Sequence, residues 1–410
     1  MKLLVQKFGG TSVATKESRE MVVDKIEKAV NNGFSPVVVV SAIGRSGDPY
    51  ATDTLINLAD SVGVKSNPRE MDMLMSCGEI ISCVILSNTI KKRGYDSIVL
   101  TGGQAGIITD ESFGDAEVLR VDPQSIYDCV EKNVIPVVAG FQGKSEKGEI
   151  TTLGRGGSDV TGAIMGEALN AEAVEIYTDV EGVMTADPRI VPDAMVMDTI
   201  YYNEVFQMAE YGAKVIHPRA VEVAMRSNIP LLIKNTMTNS AGTLITNCDK
   251  NRRYKYDKRD KLLTAIAHIS GRVRVRILFD GSAGEFENDN QLFKCIAAEG
   301  ISIDMINVNP DFKVFIIEND DAEKLKKALK VYGYNYELKA DCSKVTIIGN
   351  KMRGVPGVMA KAISALAKQD IQVLQTSDSH TTISCLIESA RTNEAVNALH
   401  QEFELGKANQ

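Results

Sequence analysis

The sequence predicts an α/β protein: a three-layer domain on a mostly parallel sheet, followed by two small units that repeat one plan. Three observations predict it. Short, wholly apolar runs alternate with helix-length segments through the first 248 residues, the pattern of strands covered on both faces. Glycine and small polar residues follow those runs, where ligands sit in such sheets. The C-terminal part matches itself at a constant offset of 70 residues.

Taken in order, Lys2–Phe8 reads as a buried strand broken by Gly9-Gly10-Thr11-Ser12. A helix follows over Thr15–Asn31, with Val22, Ile26 and Val30 on one stripe and Gly33 as a stop. Pro36–Ser41 is a continuous apolar strand. Asp53–Ser61 and Arg69–Arg93 read as helices, the second stopped by Gly94. Ser97–Thr101, Val134–Ala139, Ala173–Tyr177 and Pro230–Lys234 are further short strands. Lys7, Gly9, Gly10, Ser41, Gly102, Gly103, Gly140, Thr178 and Asp179 all fall at strand carboxyl ends.

Residues 249–261 are rich in Lys, Arg, Asp and Asn and read as a solvated linker. Beyond it, Ile296–Ile303 matches Leu366–Val373, and the pairing runs without a gap to Leu329 against Leu399. Each copy reads strand, helix, strand, strand, helix, a split βαβ order. The expected domains are 1–248, 262–340 and 341–410.

A net charge of -8 argues against general nucleic-acid binding. Seven scattered cysteines without a CxxC pair predict reduced thiols and a cytoplasmic setting, and four dispersed histidines offer no metal cluster. No signal peptide is expected, because Met1 runs directly into a strand, and no apolar run approaches a membrane span.

The chemistry concentrates in a few stretches. Thr151-Thr152-Leu153-Gly154-Arg155-Gly156-Gly157-Ser158-Asp159 leads into a small-residue helix. Its glycines allow close backbone approach, and Ser158 or Asp159 is expected at the helix N-cap, which favours anions. Arg155 offers a fork for a carboxylate or phosphate, or is a solvated turn arginine. Lys7 before Gly9-Gly10 suits charge neutralisation during phosphoryl transfer; a strand-edge lysine before a turn is the plainer reading. Asp179 and Arg189 leave a strand together and suit a magnesium ion, a nucleotide hydroxyl or a phosphate, or merely a turn. Lys214 supplies a second lysine, and His217 before Pro218 reads as structural. Glu79 is either a solvated helix position or a receiver for an ammonium group. Gly143-Lys144-Ser145 lacks the glycine at 138 that a phosphate loop needs, and no GxGxxG is present.

Lys7–Ser12, Val40-Ser41-Ala42, Gly78-Glu79, Thr152–Asp159 and Asp179–Arg189 occur in the order of the aspartokinase family, which the whole chain resembles. The resemblance implies a three-layer amino-acid-kinase domain followed by two ferredoxin-like (ACT) βαββαβ domains. It implies transfer from MgATP to the side-chain carboxylate of L-aspartate, the first step towards lysine, threonine and methionine. By it Lys7, Asp159 and Lys214 are catalytic; Ser41, Thr52, Glu79, Arg155, Gly156, Gly157 and Ser158 bind substrate. Lys7, Gly9, Gly10, Thr178, Asp179, Met184, Arg189 and Lys214 are nucleotide positions, with Met184 where many members have tyrosine. Met352, Gly354, Val355, Pro356, Gly357 and Val358 are the implied effector positions for lysine or threonine. The first copy lacks the Pro356-Gly357 pair, having Phe286-Glu287. A homodimer or dimer of dimers through the ACT units is implied. Rival readings are a kinase of the same fold acting on glutamate, acetylglutamate or a nucleotide, and a non-catalytic amino-acid sensor.

Overall fold

The computed structural model describes residues 1–213, 215–247, 263–279, 285–349, 352 and 355–406. Lys214, Gly354 and the expected linker at 249–261 lie outside the described residues. The chain divides into two units. One comprises residues 1–183, 196–209 and 214–256; the other comprises 184–195, 210–213 and 257–410.

The first unit runs β1 (Leu3–Phe8), α1 (Lys16–Asn31), β2 (Ser35–Val40), α2 (Thr52–Asp60), α3 (Pro68–Lys92) and β3 (Ser97–Leu100). There follow β4 (Ile107–Thr109), β5 (Val118–Val121), α4 (Gln124–Val130), β6 (Ile135–Ala139), β7 (Gln142–Ser145) and β8 (Ile150–Thr152). It continues with α5 (Gly157–Ala168), β9 (Ala173–Thr178), β10 (Thr199–Tyr201), α6 (Tyr202–Glu210), α7 (Pro218–Ser227), β11 (Leu231–Asn235) and β12 (Thr243–Thr246). The main sheet has the order β10-β12-β11-β9-β1-β2-β6-β3. Its six strands from β11 to β3 are parallel, whereas β12 runs antiparallel to β11.

Strand alternation separates the layers. Phe8, Val38, Val40 and Tyr177 face Val22, Val23 and Ile26 of α1 and Cys83, Leu86 and Ile90 of α3 in one apolar cluster. Lys7, one residue out of phase with Phe8, faces the other layer, where α5 packs on β1 and β9. α1 begins with a capping box in which Thr15 accepts from Ser18 N–H and Ser18 accepts from Thr15 N–H, satisfying two end donors.

Two features were not anticipated. A four-stranded sheet, β5-β4-β7-β8, stands apart from the main one, and Gly143-Lys144-Ser145 belongs to its β7. In addition, α3 is long and apolar enough to cross a membrane by length and composition, contrary to the sequence expectation. Ser, Asp, Gly and Glu interrupt its apolar letters and hide this from a search for unbroken runs. Half of its most apolar window is buried within the protein, together with Asp72 and Glu79, as in a core helix.

The second unit contains β13 (Ala265–Leu278), α8 (Glu285–Ala298), β14 (Asp304–Val308), β15 (Phe312–Glu318), α9 (Ala322–Val331) and β16 (Asn335–Ile348). It closes with α10 (Val358–Ala367), β17 (Gln375–Asp378), β18 (Thr382–Glu388) and α11 (Thr392–Glu402). One sheet, β14-β15-β13-β16-β18-β17, serves both copies. The long strands β13 and β16 pair antiparallel through its middle, and the expected boundary at 340/341 falls inside β16. The two copies keep separate cores, one around Phe315, Leu325 and Leu329, the other around Cys385, Val396 and Leu399.

Candidate active site

The carboxyl edge of the parallel sheet gathers most of the singled-out residues of the first unit. Lys7 Nζ lies 2.6 Å from Asp159 Oδ1, and both side chains are largely buried. Lys7 is the penultimate residue of β1, and Asp159 is the third residue of α5. The carboxylate therefore sits in the first turn, where the helix dipole favours negative charge. The expected cap is corrected: α5 is capped by Gly156, not by Ser158 or Asp159. Gly156 has φ +75°, and a Cβ there would lie 2.2 Å from the His217 ring. Only glycine permits both the left-handed turn and this contact.

Around the pair, backbone bonds lock neighbouring strand ends. Gly9 N–H donates to the Tyr177 carbonyl at 3.1 Å, holding the glycine loop beside Thr178 and Asp179. Ser41 N–H donates to the Phe8 carbonyl at 3.1 Å. A Cβ on Gly10 would lie 2.5 Å from the carbonyl oxygens of Ala42 and Gly44, so the loops after β1 and β2 touch only because that side chain is absent. Ser158 lies against Gly140 at the end of β6, since a Cβ on Gly140 would be 3.0 Å from Ser158 Oγ. Asp179 pairs with the exposed Arg45 and accepts from Thr178 Oγ1 at 3.2 Å.

Glu79 is 2% exposed. Ala42 N–H donates to its Oε1 at 3.1 Å, while its buried Oε2 has no partner among the described residues. Burial pushes its carboxyl up to about 8, against the opposing pull of backbone N–H donors. A half-satisfied buried carboxyl is costly to keep and ready to receive a donor or a cation. Arg155, in contrast, is exposed in the loop before α5. Thr52 opens α2 and is half-buried.

Other expected residues are not described at this edge. Met184 and Arg189 belong to the second unit. Arg189 there is 87% exposed at its side chain and chelates Asp187, whose carboxyl is held below its usual range mainly by that guanidinium. Met352, Val355, Pro356, Gly357 and Val358 surround the start of α10, with Gly357 at its N-cap in the left-handed region. Met352 and Val358 are buried in the core of the second copy.

The capping role expected of His217 is borne out, whereas its contact with Gly156 and two further neighbours were not anticipated. His217 caps α7 and also abuts Gly156, with Nδ1 buried and unpartnered among the described residues and its pKa lowered chiefly by burial. Arg45, on Asp179, carried no sequence signal. Asp72 carried one: it lies seven residues before Glu79, nearly two helical turns, and so on the same face.

A parallel sheet presenting a buried Lys–Asp pair, glycine loops and a helix start at its carboxyl edge is built for handling phosphate, and a family model defines the class. The model of the amino acid kinase family matches residues 2–235, and that of an ACT domain matches residues 337–401. Aspartokinase 1 of Bacillus subtilis is 42% identical over 99% of this chain and 100% of its own length. Two solved structures of Escherichia coli aspartokinase III have similar folds. The complex with aspartate and ADP aligns with TM-score 0.77 at 24% identity, covering 98% of this chain and 99% of that one. The complex with lysine and aspartate aligns with TM-score 0.73 at 25% identity and the same coverage. The chain belongs to the aspartokinase family and is a phosphotransferase.

Proposed function

We propose that the protein transfers the terminal phosphoryl group of ATP to the side-chain carboxylate of L-aspartate, forming 4-phospho-L-aspartate. The observation that carries the reading is the Lys7–Asp159 pair at 2.6 Å, beside Gly9 and Gly10. The acceptor is an anion at neutral pH and needs no base. Catalysis is then positioning and charge neutralisation, the task of a buried lysine beside a glycine loop. Asp159 orients Lys7, and Lys214 is the second lysine of this reading. Glu79 takes the substrate ammonium through its unpartnered Oε2, Arg155 takes a carboxylate, and Ser41, Thr52, Gly156, Gly157 and Ser158 complete the substrate positions. Gly9, Gly10, Thr178 and Asp179 serve the nucleotide.

Among the described residues, no three Asp, Glu, His or Cys side chains form a metal cage. In this reading Mg2+ is carried by the nucleotide phosphates, where it would supply neutralising charge. The reading extends to a cytoplasmic enzyme at the head of lysine, threonine and methionine synthesis, with domains at 1–248, 262–340 and 341–410. It is a homodimer or dimer of dimers, inhibited by lysine or threonine around Met352, Val355, Pro356, Gly357 and Val358. The relative solved with lysine and aspartate supports the substrate and one effector.

The test is hydroxylamine trapping of acyl phosphate from ATP with L-aspartate or L-glutamate, with and without lysine and threonine. Hydroxamate from aspartate alone, suppressed by an effector, is expected. Hydroxamate from glutamate alone, or none from either, overturns the substrate.

A further inference from the structure

Asp72 lies in the first turns of α3 with none of its surface exposed. Its carboxylate takes three donors. Thr152 N–H and Gly114 N–H reach Oδ2 at 2.8 and 3.1 Å, and the Thr152 hydroxyl reaches Oδ1 at 2.8 Å. Three donors from two separate segments converge on this one buried carboxyl, which makes it a firm junction.

Both segments that it grips lead to the Arg155 loop. Thr152 ends β8, three residues before Arg155. Gly114 precedes Asp115, and Arg219 bridges Asp115 Oδ1 and the Leu153 carbonyl at 2.9 and 2.8 Å. Ala116 N–H returns to the Thr152 carbonyl at 2.8 Å. On the same helix face, about 10 Å further along, Glu79 holds Ala42 in the loop after β2.

We infer that Asp72 is a positioning residue for the amino-acid substrate: by tying Thr152 and Gly114 to α3, it sets the distance between Arg155 and Glu79. The inference rests on the aspartate reading above. A rigid helix then serves as the ruler between the group that takes the substrate's carboxylate and the group that takes its ammonium. Asp72 itself touches neither.

Steady-state kinetics of Asp72→Asn test this. Asparagine keeps the shape and an oxygen for the two backbone N–H groups, but puts an amide N–H2 where Oδ1 accepts from the Thr152 hydroxyl, so that bond must reverse. The KM for L-aspartate is expected to rise about tenfold or more, with kcat and the KM for ATP within about threefold. Thr152→Val, which removes only the hydroxyl, should raise the KM for aspartate about threefold or more, and Thr152→Ser should restore it. A KM for aspartate within about twofold of wild type in the folded variants, with only Tm lowered, overturns the inference. If Asp72→Asn does not fold, the Val and Ser variants decide. Absence of hydroxamate from the wild-type protein and aspartate overturns the substrate reading instead, and is told apart from an unchanged KM by that assay alone.

Discussion

The two ends of the buried face of α3 solve one problem in opposite ways. Asp72 and Glu79 are both carboxylates with almost no exposed surface, two turns apart on one helix. Asp72 meets three protein donors. Glu79 accepts from the Ala42 N–H at Oε1, and its Oε2 meets no donor among the described residues. A buried carboxyl left without donors is costly, so the complete set at Asp72 makes a joint, while the incomplete set at Glu79 is what the proposed ammonium site rests on.

The largest expected effect calibrates the comparison by lying outside it. Lys7→Ala should lower kcat by about 10²–10⁴-fold, with little change in the KM for aspartate, because Lys7 acts on transferring charge. The reverse pattern in initial-rate kinetics would remove Lys7 from the chemical step. Glu79→Gln should raise the KM for aspartate by about 30- to 100-fold while sparing the KM for ATP. An unchanged KM would remove Glu79 from the substrate positions.

Gly78→Ala is expected to be milder and confined to the Glu79 end. Its Cβ would lie 2.9 Å from the Ala42 Cβ and 3.0 Å from the Tyr50 carbonyl, pushing the loop after β2 off the helix. A rise of about three- to tenfold in the KM for aspartate should result, and tighter binding in a calorimetric titration would contradict it.

The smallest effect is on stability. Glu79 has its carboxyl raised from 4.5 to about 8, so the folded state holds a proton that the unfolded chain releases. This contribution is fully present below about pH 4.5 and is lost as pH rises through about 8. Glu79→Gln cannot lose a proton. Across that window the Tm of wild type should therefore fall relative to the variant by several degrees, the order that a few kcal/mol yields in a domain of this size. Parallel Tm–pH curves would mean that Glu79 is ionised in the folded protein. Bound aspartate should flatten the difference, since its ammonium favours the carboxylate.

Much of this was written in local letters. The apolar run Val37-Val38-Val39-Val40 can only be a strand covered on both faces, and β2 is one. Repeating letters 70 apart became β15 and β18, then α9 and α11. Lys7 and the Gly-Arg-Gly-Gly stretch stood out because lysine at a strand end and clustered glycines are rare without a use. Arg45 did not, since an arginine in a polar loop looks the same whether or not an aspartate far along the chain awaits it. The cap of α5 was misjudged for a related reason: Ser158 and Asp159 have good capping side chains, but the ring of His217 made the left-handed glycine the turning point.

By itself, then, the sequence determined the class of fold, the doubled C-terminal plan and the stretches that reach the sheet edge, because periodicity and glycine placement act over a few residues. Only the tertiary structure decided that one sheet serves both repeats, that Lys7 meets Asp159, and which buried carboxylate is finished and which is waiting. Those outcomes depend on which donors arrive from elsewhere in the chain. Burial and the count of hydrogen-bond partners exist only once distant segments have packed.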